Sequence, residues 1–89
     1  MFNSTLNSFY LGEDPQQPLA EIIFIPIGED ELSITHTYVS EILRGQGMGG
    51  KLVDAVADLA KAQGKKLSAT CTFAAKVLLE DAKYADITK

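Results

Sequence analysis

The apolar residues of this 89-residue chain change period at a glycine-rich run, Arg44-Gly45-Gln46-Gly47-Met48-Gly49-Gly50, and that change limits the folds open to it. Ahead of the run, Leu32-Ser33-Ile34-Thr35-His36-Thr37-Tyr38-Val39 alternates apolar and polar side chains, the period of a half-buried strand. Behind it, Leu52, Val53, Val56, Leu59 and Ala60 recur at the spacing of one helical face, with Lys51, Asp54, Asp58 and Lys61 elsewhere on the surface. A strand entering and a helix leaving a run of glycines is the setting of a phosphate cradle. Glycine lets the backbone approach an anion closely, and amides at a helix N-terminus carry partial positive charge.

The remaining segments complete an α+β pattern. Ser8-Phe9-Tyr10-Leu11 reads as a short strand and residues 12–18, with Gly12, Pro15 and Pro18, as a turn. Leu19 to Ile27 is β-branched and aromatic and is closed by Gly28-Glu29-Asp30, so three antiparallel strands are expected by residue 39. Gly64, preceded by Lys61, supplies a stop for the helix. Lys66 to Cys71 reads as a further strand, and Thr72 is expected to cap a second helix over Phe73 to Glu80, with Phe73, Val77 and Leu78 in the core. The order is β-β-β-α-β-α, a mostly antiparallel sheet with two helices packed against it.

Composition bounds the function classes. With 46% hydrophobic and 22% charged residues the chain is expected to form a single domain over residues 1–89. No apolar run has the length of a membrane span, and Met1-Phe2-Asn3-Ser4-Thr5 lacks the basic and apolar regions of a signal peptide, so a soluble, cytoplasmic protein is expected. One cysteine, Cys71, cannot form an internal disulfide, and one cysteine with one histidine argues against a metal site. The net charge of −4 is unevenly divided: residues 1–43 carry seven acids and no base, while all eight bases lie from Arg44 onward. An anionic ligand is thus expected at the second part and a cationic partner at the first, although charge alone fits an ordinary solvated surface equally well. Nucleic acid is a poor partner, because the bases are scattered, lack interleaved aromatics and belong to an acidic protein.

Three phosphate-binding patterns can be laid over the glycines. A dinucleotide fingerprint is formally present at Gly45, Gly47 and Gly50, but it needs an acidic residue roughly 20 positions on for the ribose, where Lys65 and Lys66 stand. A nucleoside-triphosphate loop fits Gly45 to Lys51, yet Leu52 follows where a Ser or Thr must reach Mg²⁺. The third pattern, Arg/Gln-x-x-Gly-x-Gly/Ala, is matched by Arg44-Gly45-Gln46-Gly47-Met48-Gly49 in the right strand-to-helix setting.

That loop resembles the acetyl-coenzyme A loop of the GNAT acyltransferase superfamily. Together with Ile34-Thr35-His36-Thr37-Tyr38-Val39, Lys51-Leu52-Val53, Cys71-Thr72-Phe73-Ala74 and Tyr84-Ala85-Asp86, it is similar to the small, single-domain branch of that superfamily over residues 7–87. Two departures stand out: Ser40-Glu41-Ile42-Leu43 replaces the common acidic or proline-rich linker, and Glu80-Asp81-Ala82-Lys83 precedes Tyr84 where the branch often has His-Pro. The resemblance implies an abbreviated GNAT fold, with a central strand that splays from its neighbour. It also implies transfer of an acetyl group from acetyl-coenzyme A to a small-molecule or protein amine.

On the same resemblance, Tyr38 and Val39 supply backbone groups for the pantetheine arm. Arg44 supports the loop or reaches phosphate, and Gly45, Gln46, Gly47, Met48, Gly49 and Gly50 surround the pyrophosphate. Lys51 is read as a solvated surface lysine. Cys71 is the candidate nucleophile at the end of the splayed strand, its alternative being a small buried hydrophobe. His36, the only imidazole, is a candidate base because imidazole exchanges protons near neutrality, but on an alternating strand it shares a face with Ile34 and Tyr38, which favours a packed role. Glu41, near the mouth of the loop, is read as a solvated carboxylate. Tyr84 is the candidate acid for the departing thiolate. The alternative function is a non-catalytic coenzyme A-binding or protein-interaction module, since no acid/base pair is evident and the elements that usually wall the acceptor site are missing. Pairing of strand edges in a homodimer would supply such walls.

Overall fold

Four strands, not three, precede the first helix. A computed structural model describes residues 2–14 and 16–88. It runs β1 (Asn3–Ser4), β2 (Ser8–Leu11), β3 (Ala20–Ile27), β4 (Glu31–Val39), α1 (Met48–Ala62), β5 (Lys66–Ala69) and α2 (Thr72–Glu80), with short 3₁₀ turns at Glu41–Leu43 and Ala82–Tyr84. The extra strand is two residues long, too short to show a period, and pairs Asn3 with Tyr10 and Ser4 with Phe9. Of the turn expected over residues 12–18, Pro15 lies outside the described residues, as do Met1 and Lys89.

The sheet order is β1-β2-β3-β4-β5, antiparallel throughout except for the parallel pair β4 and β5. One face packs under the helices. Ala20, Ile22 and Phe24 of β3 and Leu32 and Ile34 of β4 meet Leu52, Val53, Val56 and Ala60 of α1 and Ala74 and Leu78 of α2 in one buried cluster. Each fully buried Ile, Leu or Val contributes on the order of 2 kcal/mol against leaving it in water. No described helix is long and apolar enough to cross a membrane.

A β-bulge divides β4. Ile23 pairs with His36 but Phe24 pairs with Ile34, so Thr35 is an extra residue with no counterpart on β3. In a strand of period two, one added residue moves every later side chain to the other face. Leu32 and Ile34 face the helices before the bulge; after it Thr37 and Val39, opposite Ile22 and Ala20, take that face. His36 and Tyr38 are turned to the outer, exposed face. The expectation that His36 shares a face with Ile34 is therefore overturned, and with it the packed role drawn from that placement.

The helix ends divide in the same way between expectation and correction. At the end of α1, Gly64 adopts φ 68°, its N–H donates to Lys61 O (3.1 Å), and Lys65 N–H donates to Ala60 O (2.8 Å). Those two bonds are a Schellman motif, the stop expected of Gly64. At the start of α2, the cap position belongs to Cys71, not Thr72. Cys71 is extended and its carbonyl accepts the first helical bond from Ala75 (2.9 Å), which leaves Thr72 as the first helical residue.

The chain end closes over β5. Leu67 N–H donates to Ile87 O (2.7 Å), and the buried Tyr84 donates its hydroxyl to the Asp54 carboxylate on α1. Lys83 Nζ lies 3.1 Å from the same carboxylate, a half-exposed pair of small energetic weight.

Candidate active site

Beyond Ile34 the parallel strands part. β5 pairs with β4 only from Glu31 to Ile34, and the N–H groups of Thr70 and Cys71 both turn back to Ile34 O at 2.9 and 3.2 Å. From Thr35 to Val39, β4 has no strand partner on that side among the described residues. Its free edge leads directly to the glycine loop.

The loop is shaped by two glycines in the left-handed region, Gly45 at φ 83° and Gly47 at φ 71°, a backbone that L-residues seldom adopt. A Cβ added at Gly45, Gly47 or Gly50 would meet no atom within 4 Å, so the backbone there stands open to an approaching group. The first helical bond of α1 runs from Lys51 N–H to Gly47 O (3.1 Å), and no side chain caps the turn. The amides of Met48, Gly49 and Gly50 thus lie ahead of that bond at the positive end of the helix dipole. This cradle fits a pyrophosphate: it offers backbone donors, open access and no carboxylate. Arg44 Nε donates to Val39 O (3.1 Å), which fastens the loop to the end of β4, and Gln46 Nε2 donates to Ile42 O (3.4 Å).

These parts enclose a cleft of about 420 Å³. Val39, Arg44, Gly45, Gly47, Met48, Gly49 and Gly50 line it, whereas Tyr38 and Gln46 do not. Thr37, Leu43 and Phe73 line it without having been singled out in the sequence. Thr37 comes to the cleft through the bulge, and the one sequence sign was His36, a polar residue where strict alternation demands an apolar one. Phe73 was assigned to the core. It is instead 45% exposed, because it sits in the first turn of α2 where the fold leaves the cleft rather than a packed neighbour.

Cys71 joins this end of the cleft through Thr37. Its thiol donates to Thr37 Oγ1 at 3.6 Å. Burial pushes the thiol up, but the backbone N–H of Ala74, the Thr37 hydroxyl and the N–H of Phe73 outweigh it, so Cys71 titrates below the ordinary thiol value. His36 and Tyr84 are not brought together with Cys71. His36 is on the outer face of the sheet, and Tyr84 is held on Asp54, where burial and that carboxylate push its hydroxyl well above the usual phenol range.

A family model described as GCN5-related N-acetyl-transferase matches residues 8–87. The chain belongs to that family. Acetyl transfer is accordingly the class of chemistry of this GCN5-related protein. A GCN5-like protein of Staphylococcus aureus, solved by NMR in solution, is 37% identical, with a TM-score of 0.87 over 100% of this chain and 87% of that one. The ribosomal-protein-alanine N-acetyltransferase of Brucella melitensis is 24% identical at a TM-score of 0.58, covering 88% of this chain and 63% of the other. Tetrahymena GCN5 is 17% identical at a TM-score of 0.63, covering 82% and 48%. The last two share the fold, and this chain spans about half to two thirds of their length.

Proposed function

We propose that this protein is an acetyl-coenzyme A-dependent N-acetyltransferase acting on a small-molecule or protein amine. The observation that carries the reading is the continuity of the open glycine cradle and the free edge of β4 along one cleft, whose lining residue Thr37 accepts a hydrogen bond from the Cys71 thiol. The amides of residues 45–50 would hold the pyrophosphate, and the edge of β4 at Tyr38 and Val39 would offer backbone groups to the pantetheine arm. Bound acetyl-coenzyme A supplies an activated thioester carbonyl that an amine can attack. Cys71, with its thiolate favoured by its surroundings, is the residue of this chain that would enter the chemistry. His36 would act only on an amine arriving from the outer face. A pH–rate profile unchanged in His36→Gln excludes that role. Tyr84 is read as part of the clamp on α1, not as the acid. The absence of bases from residues 1–43 supports a cationic acceptor, and an unpaired Cys71 fits a reducing cytoplasm.

The test is coenzyme A release against a panel of amines, run beside direct binding of acetyl-coenzyme A. Turnover that disappears in Cys71→Ala with binding retained supports the catalytic thiol; unchanged turnover removes it. Gly47→Glu should abolish binding, since it adds a carboxylate and a side chain at a positive φ to the cradle. One observation favours the non-catalytic module as the second reading: among the described residues, Arg44 is the only charged side chain lining the cleft. Binding without turnover on any acceptor selects that reading.

A further inference from the structure

We infer that the outer face of β3 docks a polypeptide segment, apolar at its centre and basic at both ends, in a contact separate from the acyl chemistry proposed above. The helices cover the face of the sheet on which Ala20, Ile22 and Phe24 lie. With a period of two, Glu21, Ile23, Ile25 and Ile27 take the opposite face. A strand with one face in water alternates apolar and polar residues, whereas a strand covered on both faces is apolar throughout. From Ile22 to Ile27, β3 is of the second kind. No described helix covers its outer side, and there Ile25 is 40% and Ile27 44% exposed.

Both ends of this isoleucine row are acidic. At one end Glu21 stands directly opposite Tyr10 on β2 and Tyr38 on β4, so a half-buried carboxylate lies between two tyrosines on one face. That row suits an ammonium or guanidinium group, which a carboxylate attracts by charge and an aromatic face by its quadrupole. At the other end the row runs into the turn after Ile27, where Glu29 and Asp30 are exposed. Strands β1 to β4 contain no lysine or arginine, and Lys66 of β5 is engaged elsewhere, its Nζ donating to Asp86 O at 2.7 Å. The complement of this surface is therefore a cation, an apolar stretch and a second cation. From Glu21 to Ile27 the row is about 20 Å long, the span of a helix of about 14 residues, and a free small amine would leave the isoleucines in water. Two copies of this chain packed outer face to outer face would set acid against acid, which disfavours a second copy as the occupant.

The experiment reads, by fluorescence anisotropy, the binding of a labelled helical peptide of about 16 residues, with leucines along one face and lysines at both ends. Beside it run the same peptide with glutamates for the lysines and the same peptide with serines for the leucines. The protein is taken as the wild type, Glu21→Lys, Tyr10→Ala and Ile25→Ser, with the melting temperature of each recorded. The wild type should bind the lysine-ended leucine peptide on the order of tenfold more tightly than either control. Tyr10→Ala and Ile25→Ser should each weaken that binding by about fivefold. Glu21→Lys should lose it and gain affinity for the glutamate-ended peptide, a reversal that unfolding cannot produce. Equal binding of all three peptides, or binding unmoved by both Glu21→Lys and Ile25→Ser, overturns the inference. Equal binding of the serine peptide reduces the face to a charge contact and overturns it too. Self-association of the wild type that Ile25→Ser abolishes, with no peptide bound, assigns the face to a second copy and does the same.

Discussion

The two halves of β4 carry the same kind of sequence and do opposite work. From Glu31 to Ile34 the strand is flanked by β3 and β5, and Leu32, Ser33 and Ile34 are all buried. From Thr35 to Val39 it keeps β3, loses β5, and presents Thr37 and Val39 to a cleft and His36 and Tyr38 to the outside. One extra residue, Thr35, separates them. The closed half spends its hydrogen bonds and apolar side chains on stability, while the open half leaves a backbone edge and a hydroxyl without a packed cover, which a ligand can use. Thr37 occupies a helix-facing position yet is polar, because above it lies space and the Cys71 thiol, not α1.

The sharpest way to break the comparison is to cut into the closed half. Ile34→Ala removes a fully buried side chain at the last paired position and should cost about 3 kcal/mol in denaturant unfolding, enough to threaten the fold. A loss below about 1 kcal/mol would mean that the closed half does not carry the stability assigned to it. Gly49→Ala probes the boundary of the open half; forcing a methyl against the Phe73 ring should cost about 2 kcal/mol, where a helical alanine with free space would stabilise. Tyr84→Phe loosens the clamp behind the closed half by deleting the hydroxyl that donates to Asp54, and should cost about 1.5 kcal/mol while leaving coenzyme A affinity unchanged.

Thr37→Val should move global stability least, by less than about 1 kcal/mol, because its hydroxyl faces the cleft. It should instead act on Cys71. The neutral thiol donates to Thr37, and once ionised it can receive the same hydroxyl's proton, so removing that group disfavours the thiolate. The midpoint of the pH dependence of Cys71 alkylation should rise toward that of the unfolded chain. The linked stability has the matching sign: a thiol depressed in the fold stabilises increasingly as pH climbs through its titration, and wild type should gain on Thr37→Val over that range. An alkylation profile that does not move would separate Thr37 from the thiol.

Much of this was legible in residue order. The glycine loop, the amphipathic face of α1 and the Gly64 stop are local features, set by φ preference and by contacts three or four residues apart, and each stands where the pattern put it. Strand β1 escaped because two residues have no period, and the cap of α2 was misassigned because Thr72 is the better capping side chain while the backbone bond begins at Cys71. The outer-face placement of His36 was missed for a different reason. Alternation assumes an unbroken ladder, and the bulge at Thr35 exists only through pairing with β3.

By itself, then, the sequence determined the order of elements from β2 onward and an open glycine loop at the start of α1, since both depend on backbone freedom and short-range spacing. The tertiary structure alone decided which side chains face the cleft. It turned Thr37 inward and His36 outward, drew Tyr84 onto Asp54, and brought Phe73 from a supposed core position to the wall beside Gly49. Each of those outcomes depends on strand register or on packing between residues more than 20 positions apart, and no local pattern encodes such a contact.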